Sequence, residues 1–237
     1  MKIIRIICGE KNTTMSHIQA EIQRIKAGLP QGVQLVAVSK YHPIEALQEA
    51  YDGGQRIFGE SKVQEMTQKH EALPKDIEWH FIGHLQTNKI KYMASYVALI
   101  HGVDSYKLLA EIDKQAAKAG RTIRCLLQIH IAQEETKFGF TPQECLDMLQ
   151  AGEWRQLNHV QIAGLMGMAT NTDNQAQITR EFAALAALFR QTKETYFGDI
   201  PYYKEISMGM SDDYPIAIAQ GSTLIRIGSR IFGARVY

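Results

Sequence analysis

The chain has 237 residues, 45% of them apolar and 22% charged, with 26 Lys and Arg against 25 Asp and Glu. That length holds one large domain or two small ones, and it excludes a full eight-fold βα barrel joined to a second domain of comparable size, since such a barrel takes about 250 residues. A net charge of +1 leaves no domain-wide basic footprint for nucleic acid, and no run of about 18 apolar residues is present to span a membrane.

The opening MKIIRIICGE is too short an apolar patch for a secretory signal, and no small-residue cleavage site follows it. Cys8, Cys125 and Cys145 are scattered and form no CxxC pair, a usage that fits a reducing cytoplasm. Residues 1–14 read as an appendage and 15–237 as a single domain. Met15, Ile18, Ile22 and Ile25 recur at helical spacing, and Ser16 with Gln19 makes a capping box at the start of that helix. The helix ends near Gly28-Leu29-Pro30.

From Gly32 the chain alternates. Apolar runs begin near Val33, Ile57, Trp79, Val97, Ile123, Val160, Tyr203 and Leu224, and continuous apolar runs are the mark of parallel strands buried on both faces. Helical stretches separate them. Pro43 is placed for a first helical position. Leu108, Ile112 and Ala116 share a face after Ser105, and Ile178, Phe182, Leu185 and Phe189 form a stripe. A short helix is expected after Ser211, with Ser211 as its cap and Asp212 and Asp213 in its first turn. This rhythm predicts an α/β fold, a single (β/α)8 TIM-type barrel with an extra N-terminal helix. A doubly wound open sheet is the alternative, because counting strands does not prove closure.

Functional groups in such folds sit at the carboxyl ends of the strands. Lys40 lies at the first exit. Apolar barrel wall around it would lower its pKa and free the amine as a nucleophile or Schiff-base former; a surface lysine in a loop is the other reading. The seventh exit carries Gly209 and Ser211, and the eighth carries Arg226, Gly228 and Ser229. Barrels often hold a phosphate between these two loops, where small residues let the backbone approach it. Plain turn and cap residues would look the same. A lysine facing a phosphate cup describes pyridoxal 5′-phosphate held as an internal aldimine. Arg226 would then meet the ring nitrogen and, being unable to give up its proton, leave the ring a weak electron sink.

Several motifs in order also carry a resemblance. VAVSK at 36–40, FGES at 58–61, WHFIGHLQTNK at 79–89, EETKFG at 134–139, GLMGM at 164–168, SMGMSDD at 207–213 and RIGSRIFG at 226–233 resemble the YggS/PROSC family of pyridoxal-phosphate homeostasis proteins. The likeness runs from about residue 16 to the C-terminus. It implies a barrel like the N-terminal domain of bacterial alanine racemase, with Lys40 as the Schiff-base lysine, Ser211, Gly228 and Ser229 on the phosphate, and Arg226 near the pyridine nitrogen. It implies cofactor binding without established turnover, a role in amino and keto acid balance, and apo-enzymes dependent on pyridoxal phosphate as recipients. Ser61 and His130 stand where the family often has asparagine.

Other groups have plainer readings. His80 and His84 are four apart, but Phe81 takes the place of the glutamate of HExxH, so no metal site is expected. His80 faces either the cofactor ring or the barrel core. Cys125 and Cys145 read as packing residues. Gln86, Asn88, Lys89 and Lys91 read as a solvated helix face or a docking patch, and Glu134 with Lys137 as a local ion pair. The rival function is an amino-acid racemase. It needs a second base opposite Lys40, for which Tyr41, Tyr202, Tyr203 and Tyr214 are the candidates. A barrel enzyme acting on a phosphorylated metabolite without a cofactor is a third reading.

Overall fold

A computed structural model describes residues 15–134 and 138–233. The proposed appendage at 1–14 and Lys137 of the proposed ion pair lie outside the described residues. Helix α1 (His17–Ala27) precedes the barrel, and its capping box is present as expected: Gln19 N–H donates to Ser16 Oγ at 3.2 Å while Ser16 N–H donates to Gln19 Oε1 at 3.2 Å. Ile22 and Ile25 are its buried face.

Eight parallel strands follow. They are β1 (Gln34–Val38), β2 (Ile57–Glu60), β3 (Glu78–Phe81), β4 (Leu99–Val103), β5 (Ile123–Ile129), β6 (Val160–Gly167), β7 (Glu205–Ser207) and β8 (Leu224–Ile227). Each pairs with the next, and β1 pairs in parallel with β8 through Val36↔Arg226 and Ala37↔Ile227. That last pairing closes the barrel and disposes of the open-sheet alternative.

The connecting helices are α2 (Ile44–Asp52), α3 (Val63–Ala72), α4 (Tyr106–Lys118), α5 (Pro142–Ala151), α6 (Gln175–Thr192), α7 (Tyr214–Ala219) and α8 (Ser229–Phe232). Between β3 and β4 the crossover is a 3₁₀ helix over Thr87–Tyr92, so the basic stretch containing Lys89 and Lys91 is a tight turn and not a regular α-helical face. Pro43 is the N-cap of α2 and not its first helical residue.

The core has two layers, as strand alternation requires. Outward-facing strand residues pack with the helices around Phe58, Trp79, Phe81, Leu127 and Ile225. The predicted stripe of α6 joins this layer, with Ile178, Phe182, Leu185 and Phe189 buried. Each fully buried side chain of this size contributes about 1.5–3 kcal/mol. Inside the barrel a smaller cluster of Val36, Leu99, Leu126, Ala163, Met166 and Leu224 fills the middle.

Candidate functional site

The inward face of the barrel is polar at two levels. Towards the amino ends of the strands, Arg124 on β5 donates to Glu205 on β7 at 2.9 Å. Nearer the carboxyl ends a hydrogen-bonded line crosses the interior. Arg226 Nη1 donates to Ser207 Oγ at 2.5 Å, Ser207 meets His101 Nδ1 at 2.9 Å, and His101 Nε2 meets His80 Nδ1 at 3.0 Å. All four side chains are buried.

The direction of this line follows from its end. Arg226 has only donors. Ser207 therefore accepts from it and passes its own proton to His101 Nδ1, which leaves the His101 proton on Nε2, donated to His80 Nδ1. Neutral imidazoles fit this order. Burial, reinforced by Arg124, holds the His80 pKa down to about 3. Burial, with His80, Arg226 and Arg124 adding to it, holds His101 well below its ordinary value. Arg226 is also lowered by burial, to about 10, with Asp213 acting against the shift, so it stays charged at neutral pH. Its Nη2 donates to Gly167 O at 3.2 Å.

Above this line the barrel mouth opens into a cavity of about 280 Å³. Lys40, Ser211, Arg226, Gly228 and Ser229 all line it. Lys40 is half-buried and shares the phase of Val36 and Val38, the inward phase of β1. Ser229 Oγ donates to Ser211 Oγ at 3.1 Å, which brings the loops after β7 and β8 together. Gly228 is needed where it stands, because a Cβ there would lie 2.9 Å from the Val38 carbonyl oxygen. The lining thus offers an amine, a charged guanidinium and two hydroxyls around a close backbone approach. These groups suit a small ligand with an electrophilic carbon and an anionic group.

Of the two readings of His80, the bond to His101 fits the barrel-core one, and His80 is not among the residues lining the cavity. One expectation needs correction. Ser211 does not cap the following helix. The cap position of α7 is Asp213, whose carboxylate accepts from Met210 N–H at 2.5 Å, and Pro215 in the first turn suits that later start. Ser211 is left free to meet Ser229.

None of the four tyrosines weighed as a second base lines the cavity. Tyr203 is fully buried, stacked on Phe197 and Phe189, with its hydroxyl on Thr192 at 2.6 Å. His84 stacks on Phe138 and meets Asp104 at 3.2 Å, away from His80's partners. Glu134 accepts from Asn171 N–H at 2.7 Å.

Sequence reasoning missed His101, Ser207 and a buried cluster of Glu60, Lys69 and Glu65. A histidine within the apolar run LIHGV was the available sign of the first, since a buried imidazole needs a partner.

Comparison with known proteins places this arrangement. The family model for the alanine racemase N-terminal domain matches residues 14–236. A pyridoxal phosphate homeostasis protein of Aquifex aeolicus is 36% identical over 231 residues, covering 97% of this chain and 99% of its own. The protein of the same name in Helicobacter pylori is 41% identical over 203 residues, covering 84% and 87%. The solved structure of PipY from Synechococcus elongatus with pyridoxal phosphate bound superposes with a TM-score of 0.82 at 36% identity, over 91% of this chain and all of that one.

Proposed function

Because the chain belongs to the family of pyridoxal phosphate homeostasis proteins, built on the alanine racemase N-terminal domain, we propose that it binds pyridoxal phosphate at the barrel mouth and serves as a cytoplasmic carrier and buffer of that cofactor. The observation that carries this reading is the convergence of Lys40, Arg226 and the Ser211–Ser229 pair on one cavity. When bound, pyridoxal phosphate supplies an aldehyde that condenses with a primary amine, releasing water, to give a chromophore that absorbs visible light. Lys40 provides the amine. Ser211 and Ser229 provide hydroxyl donors for the phosphate, and Gly228 lets the loop after β8 pack against the Val38 backbone, where a Cβ would lie 2.9 Å from the carbonyl oxygen. Arg226 provides a donor that keeps its proton at neutral pH, braced by Ser207 and Gly167. A pyridine nitrogen accepting from it stays unprotonated, which disfavours transamination-type chemistry.

Racemisation needs a base on the far side of the substrate from Lys40; none of the four tyrosines lines the cavity, whose titratable side chains besides Lys40 and Arg226 are His42 and Asp212, so the chirality assay below separates carriage from turnover. A site at the barrel mouth supports delivery to apo-enzymes that need the cofactor. Two assays test the reading. The loaded protein is expected to activate such an apo-enzyme faster than the same concentration of released cofactor does, and a panel of amino acids is expected to keep its chirality in its presence. Lys40-dependent racemisation, or activation no faster than by free cofactor, overturns it.

A further inference from the structure

On the helix side of the barrel, directly behind Lys40, a cluster of charged groups is buried. Lys69 on α3 donates to the Ser39 carbonyl at 2.8 Å, to Glu60 Oε1 at 2.7 Å and to Glu65 Oε1 at 2.7 Å. Ser39 Oγ donates to the same Glu60 oxygen at 2.6 Å, and Tyr41 N–H donates to Glu65 Oε1 at 2.6 Å. Side-chain exposure is 0% for Glu60, 5% for Lys69 and 20% for Glu65. Ser39 and Tyr41 are the neighbours of Lys40 on either side. Three of the five hydrogen bonds therefore end on the residues flanking the lysine.

Two features separate this cluster from ordinary helix docking. Apolar side chains would seat α3 on the barrel without removing three ionisable groups from water, which is costly even when they pair. The cluster also holds an unusual backbone. Tyr41 has φ +67°, the only positive value of a non-glycine residue among the described residues, and an aromatic residue keeps that conformation only when its surroundings impose it. The turn sends Lys40 towards the cavity while its neighbours are tied to the opposite side of the wall.

We propose that Glu60, Lys69 and Glu65 are positioning residues for Lys40, gripping the backbone before and after it so that its amine enters the cavity in the direction that captures the cofactor. This inference rests on the reading of Lys40 as the cofactor-bearing lysine. The cluster touches the flanking backbone and acts only through Lys40. Its loss slows capture because a misdirected amine meets the aldehyde less often, and a displacement of about 1 Å can cost a factor of about 100 in such geometry.

The test mixes apo-protein with pyridoxal phosphate and follows the rise of the visible band, with the melting temperature of each apo-protein as the check on folding. Glu65 is the edge of the cluster, so Glu65→Ala removes the acceptor for Tyr41 N–H without leaving the core short of a large group. It is expected to slow the band by about tenfold or more while the fold is kept. Glu65→Gln retains an oxygen for both Tyr41 and Lys69 and is expected to restore most of the rate. The double variant Glu60→Gln with Lys69→Met removes both buried ionisable groups together and is expected to be slow as well. Wild-type rates in Glu65→Ala and in the double variant overturn the proposal, as does a Glu65→Gln protein as slow as Glu65→Ala. Absence of the band in wild type, or the same band in Lys40→Ala, instead overturns the functional reading, and needs no cluster variant to be seen.

Discussion

Replacing Gly209 by alanine tests whether the loop between β7 and α7 is held by close packing. Gly209 has φ +93°, and a Cβ there would lie 2.6 Å from Ala217 Cβ and 2.9 Å from Tyr214 Cα. Its carbonyl accepts from Arg226 N–H at 3.0 Å, so any shift reaches the cavity floor. The left-handed backbone costs an alanine about 1–2 kcal/mol. Overpacking against α7 adds about 1–3 kcal/mol. The sum is about 2–5 kcal/mol, or roughly 5–20 °C in melting temperature for a domain of this size. Gly221 supplies the control. Its φ is +94° and a Cβ there meets nothing within 4 Å, so Gly221→Ala bears the backbone term alone. Thermal melts of the two apo-variants isolate the contact, and a cofactor titration shows whether it matters to the site. Gly209→Ala is expected to melt lower than Gly221→Ala and to bind pyridoxal phosphate more weakly. Equal melting temperatures would refute the packing argument.

Three further outcomes follow from the buried groups. Burial pushes the Glu60 carboxyl up to about 7, with Lys69 and Ser39 opposing the shift and Glu65 adding to it. The folded protein thus holds a proton that the unfolded chain has released, and the group's stabilising share, full below about pH 4.5, is lost as pH rises through about 7, roughly 3 kcal/mol in all. Urea denaturation should show Glu60→Gln gaining on wild type by that order between about pH 5 and 8; a constant difference contradicts it. The hydrogen-bonded line from Arg226 predicts that His80 and His101 both carry their proton on Nε2 and stay neutral at about pH 5, which nitrogen-resolved NMR reads directly, and a titration of either ring above that pH would break the line. Burial raises the Cys145 thiol to about 12 and Cys125 further still, so peptide mapping after a thiol reagent should find both unmodified in the folded protein, and ready labelling of either contradicts its placement.

The barrel was legible in the sequence because its strands are continuous apolar runs and its helices carry regular stripes. Lys40, Ser211, Gly228 and Ser229 were legible because each follows a strand, and Arg226 because it lies near the end of the last one; strand exits meet at one mouth in this fold. What remained hidden depends on closure. The phase of β3 and β4 that brings His80 to His101 is set by register across the barrel, and no local spacing announces it. Glu60 and Lys69 lie nine positions apart on different elements, with Ser39 a further strand away; only the seating of α3 on the wall joins them. The helix after β7 was misplaced by two residues because Ser211, Asp212 and Asp213 are all plausible caps, and the choice among them belongs to the contact between Ser211 and Ser229.

The most direct test of the account is to load the wild-type protein with pyridoxal phosphate, reduce it with borohydride and map the added mass by peptide sequencing. The account predicts one pyridoxyl group per chain, on Lys40, with the phosphate retained. A label on other lysines with Lys40 unmodified would contradict it.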